Sequence, residues 1–331
     1  MIQPSLFKPA WWLRSAHAQT VFSTLFRRIA PAIDHWERVE LPDGDFIDTA
    51  WRGDDLPSGS PLVVLLHGLS GSHQSAYIVG LMQAFYKKGW RSVVMHLRGA
   101  STEPNRHARA YHSGDTLDFD YFIKHISARD PHSPKAAVGF SLGGNVLLKW
   151  LGEQDGQAGL QAAVAVSVPF ELRLVADRLN RGFSRLYQRR FIAQLHNTFN
   201  NKKAHLNLEL LTRAQAEALT DMERWDCFWT FDDKVTAPLN GFSDVHAYYR
   251  QASSKQYLKK ITTETLIIQA QDDPFMSPEV LPKAQDLSDF VTLELSPCGG
   301  HVGFIGSNWP GKPVYWLESR IPEFLHAVFI G

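Results

Sequence analysis

The 331 residues include 34 basic and 34 acidic side chains, with 44% hydrophobic and 21% charged residues overall. This is the composition of a soluble globular chain, long enough for an α/β sheet that carries an insertion. A formal net charge of zero argues against nucleic acid as a partner, which would need a clustered basic excess. Two cysteines, Cys227 and Cys298, are too few and too far apart for a disulfide framework or a zinc site, and they fit a reducing compartment. Residues 1–7 lack the basic start and apolar core of a signal peptide. No run approaches the ~18 apolar residues of a membrane span. The expected location is cytoplasmic.

Residues 1–32 are rich in aromatics, among them Phe7, Trp11, Trp12, Phe22 and Phe26, and close on Arg27 and Arg28. An N-terminal arm packed on the body explains them, and an interfacial anchor is the alternative. Two strand-like runs, 35–41 and 46–51, flank Pro42-Asp43-Gly44-Asp45, which supplies hairpin turn chemistry. From residue 62 strand and helix patterns alternate. The strand 62–66 precedes a helix over 76–88 ended by Gly89. A strand over 92–96, a long loop and a helix over about 115–128 follow. Next come Ala136-Ala137-Val138, the helix-like Asn145 to Trp150, and a strand over 162–166. Such alternation predicts a mostly parallel sheet with helices on both faces.

Regularity breaks over residues 170–260, which show helical periodicity and read as a helical cap inserted between two sheet strands. One part is basic, with Arg173, Arg178, Arg181, Arg185, Arg189 and Arg190 interleaved with Leu172, Leu174, Leu179, Phe183, Leu186, Phe191 and Ile192. Either it forms a lid that lines an acyl pocket or meets lipid, or it is a solvated basic face over a packed stripe. The whole chain, 1–331, reads as one domain, with the arm 1–32 and the cap 170–260 as parts of it.

Three strand ends carry the candidate chemistry. Gly139-Phe140-Ser141-Leu142-Gly143 lies between a strand and a helix, the context of a nucleophile elbow, with Ser141 on the turn. The strand 62–66 empties into His67-Gly68-Leu69-Ser70-Gly71, where this architecture places its second oxyanion donor. An oxyanion needs two backbone N–H groups aimed at one point, and Leu69 and Leu142 supply the candidates. His67 reads as a residue that shapes the loop. Late strands near 265–268 and 290–295 run into Asp272-Asp273-Pro274 and Gly299-Gly300-His301. The order Ser, Asp, His is that of the α/β-hydrolase class. A Ser hydroxyl needs a base, His301, and the base needs an orienting carboxylate. Asp272 and Asp273 are adjacent, and side chains leaving a strand alternate, so one of them is expected to face His301.

The stretch Arg98-Gly99-Ala100-Ser101-Thr102-Glu103-Pro104-Asn105-Arg106, followed by Tyr111-His112-Ser113-Gly114-Asp115-Thr116, is the distinctive part. With the His-Gly loop, Ser141, Asp-Asp-Pro and Gly-Gly-His, it resembles the YheT-like family of α/β-hydrolases over most of the chain. Eukaryotic relatives of that family are lipid esterases. The family pattern has Cys-Ser-Gly where this chain has Ala100-Ser101-Thr102. The resemblance implies that Asp273, before Pro274, is the acid, and that the reaction is hydrolysis of short- or medium-chain acyl esters. A serine carboxylesterase with Ser141, Asp273 and His301 is therefore expected, working through an acyl-enzyme without cofactor or metal. Its partner would be a small-molecule ester, and peripheral membrane contact stays open. An acyltransferase with the same residues, or a non-catalytic binder of the same fold, are the alternatives.

Overall fold

The computed structural model describes residues 1–156, 158–206, 211–219 and 225–330. Of the 170–260 segment, residues 207–210 and 220–224 lie outside the described residues, as does Gly331 at the chain end.

The chain opens with β1 (Ile2–Pro4) and α1 (Ala16–Phe26), then the hairpin β2 (His35–Glu40) and β3 (Phe46–Arg52). The alternating part runs β4 (Leu62–Leu66), α2 (Ala76–Lys87), β5 (Arg91–Met95), α3 (Leu117–Arg129), β6 (Lys135–Phe140), α4 (Leu142–Glu153) and β7 (Ala162–Val166). Helices α5 (Leu172–Leu179), α6 (Ser184–Lys203), α7 (Arg213–Ala218) and α8 (Phe228–Phe231) follow. A π-helical turn (Asp232–Thr236), α9 (Ala237–Leu239) and α10 (Val245–Ala252) come next. The chain then completes the sheet with β8 (Glu264–Ala270) and β9 (Val291–Ser296), and ends in β10 (Ile305–Gly306), β11 (Val314–Tyr315) and α11 (Leu317–Ile330).

Among the described residues, nine strands form one sheet in the order β1-β9-β8-β7-β6-β4-β5-β3-β2. All neighbours are parallel except β3, which runs antiparallel to both β2 and β5. Helices cover both faces of the parallel part, so β4, β6 and β7 are buried along their whole length, as the apolar runs 62–66, 136–140 and 162–166 require. Successive residues of β4 divide between the two cores. Val64 and Leu66 pack with Phe119 and Phe122 of α3 and Val146 of α4. Val63 and Leu65 pack with Ile78 and Phe85 of α2 and Ile321 and Leu325 of α11. This two-sided, mostly parallel sheet is the α/β-hydrolase fold.

Two details differ from the sequence reading. The first residues of the chain form an edge strand, with Ile2 opposite Leu293 of β9. A three-residue strand is too short to show a period. Helix α3 begins at Leu117, two residues later than expected, because the Asp115 N–H closes a turn onto the His112 carbonyl and the first helical bond runs from Asp120 to Thr116.

Candidate active site

The segments carrying the candidate chemistry leave the carboxyl ends of β4, β6, β8 and β9, which all lie at one end of the sheet. Ser141 sits between β6 and α4 with φ 50° and ψ −116°, outside the regions an ordinary serine occupies. Its N–H is tied to the Val166 carbonyl at 2.8 Å, and its own carbonyl accepts from Asn145 N–H at 3.0 Å. These bonds hold the strained turn. The glycines two residues either side make the turn sterically feasible. A Cβ on Gly139 would lie 2.4 Å from the Gly143 carbonyl oxygen, and one on Gly143 would lie 2.5 Å from that of His67.

His301 Nδ1 lies 2.8 Å from Asp273 Oδ2. The other oxygen, Asp273 Oδ1, accepts from Phe275 N–H at 2.9 Å, which fixes the carboxylate plane. The His301 ring is held in two further ways. It stacks on Phe275 with centroids 4.1 Å apart, and its backbone N–H donates to Thr20 Oγ1 at 2.9 Å. Gln19, fully buried beside Thr20, donates to Leu13 and Ile305 carbonyls and accepts from Ile305 N–H. The N-terminal arm is thus built into the histidine loop. Sequence reading missed Gln19, Thr20 and Phe275, since their partners are distant in the chain and no local pattern marks them.

Asp272 turns to the same loop. Its Oδ1 accepts from Gly300 N–H at 2.9 Å, and burial raises its pKa above the usual carboxylate value. Of the two adjacent acids, only Asp273 reaches the His301 ring. Strand β8 ends at Ala270, and both acids lie on a turn where strand alternation no longer applies. Asp273 engages the imidazole and Asp272 the backbone before it.

The His67–Gly71 loop is pinned around Leu69. Gly68 N–H donates to Tyr77 Oη at 3.0 Å and Ser70 N–H to Tyr111 Oη at 3.2 Å. Among the described residues, the Leu69 N–H between them makes no hydrogen bond, nor does the Leu142 N–H that opens α4. His67 is fully buried. Its Nε2 accepts from Leu97 N–H at 3.2 Å, and burial pushes its pKa down to about 4, so it stays neutral.

The Arg98 to Ser113 segment frames this loop from outside. Buried Arg98 grips Asp118 bidentately at 2.7 and 2.8 Å and reaches Asp43 and Asp45. Asn105 donates to Asp45 and receives Lys202 Nζ from α6 at 2.7 Å. Ser113 N–H meets Tyr248 Oη at 3.0 Å. The distinctive motif is a scaffold of buried charges and turns, ending in the tyrosine that holds Ser70.

Ser141, His301, Leu69 and Leu142 all line one cavity of about 1190 Å³. The rest of its wall is largely apolar, with Leu172, Val175 and Leu179 from α5, Phe191 from α6, and Phe275 and Met276.

Comparison with known proteins agrees with this architecture. The alpha/beta hydrolase fold family matches residues 61–307. "Putative esterase YheT" of Escherichia coli (strain K12) is 42% identical over 96% of this chain and 92% of its own length. "Phospholipase ABHD3" of Mus musculus is 26% identical over 97% of this chain and 78% of its own. A soluble variant of monoglyceride lipase from Saccharomyces cerevisiae, solved with a substrate analog, superposes with a TM-score of 0.57 at 16% identity, covering 91% of this chain and 96% of that one. At that identity the likeness concerns the fold. The chain belongs to the YheT-like group of the α/β-hydrolase family, whose relatives are esterases and lipases.

Proposed function

We propose that this protein is a serine carboxylesterase that hydrolyses acyl esters through an acyl-enzyme. The observation that carries the reading is the bond from His301 to Asp273 in a cavity that also exposes Ser141 and two unengaged amides. With Nδ1–H directed to Asp273, the His301 Nε2 lone pair is free to act as base. Ser141 Oγ attacks the ester carbonyl while its proton passes to Nε2. The carbonyl oxygen becomes an oxyanion and takes the Leu69 and Leu142 N–H groups. The imidazolium, steadied by Asp273, returns the proton to the departing alkoxide, which leaves as the alcohol. A water then repeats the sequence on the acyl-enzyme: it gives its proton to His301, and the acid and free Ser141 are released.

The cavity also bears on the acyl group. Its volume exceeds what a short acyl chain fills, and its wall from α5 and α6 is apolar, which supports medium-chain esters over short ones. On this reading, helices α5–α10 act as the cap of the site.

A fluorophosphonate probe should label wild-type protein at Ser141 and leave Ser141→Ala unlabelled. Ester turnover should fall by on the order of a thousandfold or more in that variant. A folded Ser141→Ala protein that keeps roughly a tenth of its turnover refutes the assignment.

A further inference from the structure

Two basic segments without acids meet at the mouth of the cavity. Residues 1–33 contain Lys8, Arg14, Arg27 and Arg28 and no Asp or Glu. Residues 178–206 contain Arg178, Arg181, Arg185, Arg189, Arg190, Lys202 and Lys203, again with no acid. The chain as a whole is neutral, so this separation is local. The segments touch in the fold, where His17 of α1 packs on Phe183 and Tyr187 at 4.5 and 5.7 Å.

Their outer side has a particular character. Arg28, Arg181, Arg185, Arg189 and Arg190 are exposed and, among the described residues, have no acidic partner. Large apolar side chains stand beside them in solvent. Leu25 is 52%, Phe26 68%, Phe183 57% and Leu186 51% exposed. Isolated exposed apolar residues need no explanation, but a cluster around one opening does. The cavity wall reaches this surface through Leu25 and Arg28 of the arm and Arg190 of α6, all exposed. An apolar cavity therefore opens through a rim of arginines and bulky apolar groups.

We infer that this rim is a docking surface for an anionic lipid bilayer, seating the cavity mouth on the membrane. Unpaired arginines complement anionic headgroups, and Phe26, Phe183 and Leu186 insert at the boundary with the acyl chains. A nucleic acid would use the cations and leave the apolar groups in water. A lipid surface uses both, and the apolar cavity continues inward from it. Among the described residues no helix is long and apolar enough to cross a membrane, so the contact is peripheral. The inference stands on the surface and does not require the proposed ester chemistry.

The test is sedimentation of the full chain with vesicles. Protein should pellet with vesicles of phosphatidylglycerol and phosphatidylcholine at low salt, and remain in solution with phosphatidylcholine alone. Binding should weaken as salt rises. Arg181, Arg185 and Arg189 do not line the cavity, so the triple variant R181Q/R185Q/R189Q keeps the site intact. Its partition onto anionic vesicles should drop by on the order of a hundredfold, about fivefold for each cation removed. The double variant F183S/L186S should also bind less, while both variants turn over a water-soluble short ester at the wild-type rate if the ester reading holds. Failure of wild type to bind anionic vesicles, or undiminished binding by the triple variant, overturns the inference. So does undiminished vesicle binding by F183S/L186S together with equal capture by heparin, which would make the rim a site for polyanions. Loss of ester turnover in every protein with vesicle binding intact would count against the esterase reading alone.

Discussion

Replacing Asp273 by asparagine tests the site most sharply, because the structure dictates which way the new amide turns. Asp273 Oδ1 accepts from Phe275 N–H, and Oδ2 faces His301 Nδ1. An asparagine keeps the first bond only by placing its carbonyl oxygen there. Its NH₂ group then points at Nδ1. Turning the amide over would set an NH₂ against the buried Phe275 N–H, two donors facing each other, and leave that N–H unpaired at a cost of about 1–3 kcal/mol. The favoured arrangement makes Nδ1 the acceptor and moves the imidazole proton to Nε2. The base then has no lone pair toward Ser141. The same tautomer reversal in a serine protease costs roughly 10⁴ in turnover, about 5 kcal/mol of barrier. Asp273→Asn should show that loss with little change in KM, since the cavity wall is untouched. Asp272→Asn is the control. Its carboxylate accepts from backbone N–H groups of the histidine loop, Gly300 foremost, which an amide oxygen also accepts, so turnover should stay within about tenfold of wild type. Both variants would be assayed on one soluble ester, with thermal denaturation to confirm folding. A dead Asp272→Asn beside a near-normal Asp273→Asn refutes the reasoning.

Three further outcomes are expected. Gly143→Val should lose about 3 kcal/mol of stability or more, or fail to fold, because any Cβ there lies 2.5 and 2.7 Å from the His67 and Leu66 carbonyl oxygens, which are fixed in the sheet end; a stable, fully active variant in thermal denaturation and turnover would show the elbow is misread. Val175→Phe projects bulk into the apolar cavity wall and should cut kcat/KM for longer acyl chains by about tenfold while sparing the shortest ester, so a chain-length profile parallel to wild type would exclude α5 from acyl binding. Lys202 carries a pKa pushed down by burial from 10.5 to about 7. Between those values the unfolded chain holds a proton that the folded one has released, so this group makes stability rise with pH across the window. Lys202→Met should flatten the rise in denaturation midpoint from about pH 7 to 9.5, and unchanged pH slopes would absolve the lysine.

The sheet was legible because its strands are short apolar runs set off by turn residues and by helix-period segments. Val63 and Val64 belong to different cores, yet both are apolar, and that two-sided demand is what an unbroken run records. The elbow was legible through Gly139 and Gly143, whose lack of a side chain is a steric requirement printed directly in the sequence. The supports of the site were not. Phe275 looks like an ordinary loop aromatic until it is found stacked on His301. Arg98 looks like a surface cation until three carboxylates are found around it, drawn from positions 43, 45 and 118. Contacts across such separations leave no period in a single chain.

The partnership of Thr20 with His301 has a consequence for the order of folding. These residues are 281 positions apart, and Met1 meets Val291 across an even longer interval. The amino-terminal end leaves the ribosome first, while the strand and loop it must join leave almost last. Throughout synthesis the arm has no native seat, and its Phe7, Trp12 and Phe22, which pack in the folded chain, stay unsheltered. The pairing of β1 with β9 and the bond from His301 to Thr20 have high contact order, so they are expected to form late. The histidine loop gains its backbone anchor only then. Catalytic competence in refolding experiments should accordingly lag behind recovery of the helical signal, with the delay set by the docking of about thirty residues.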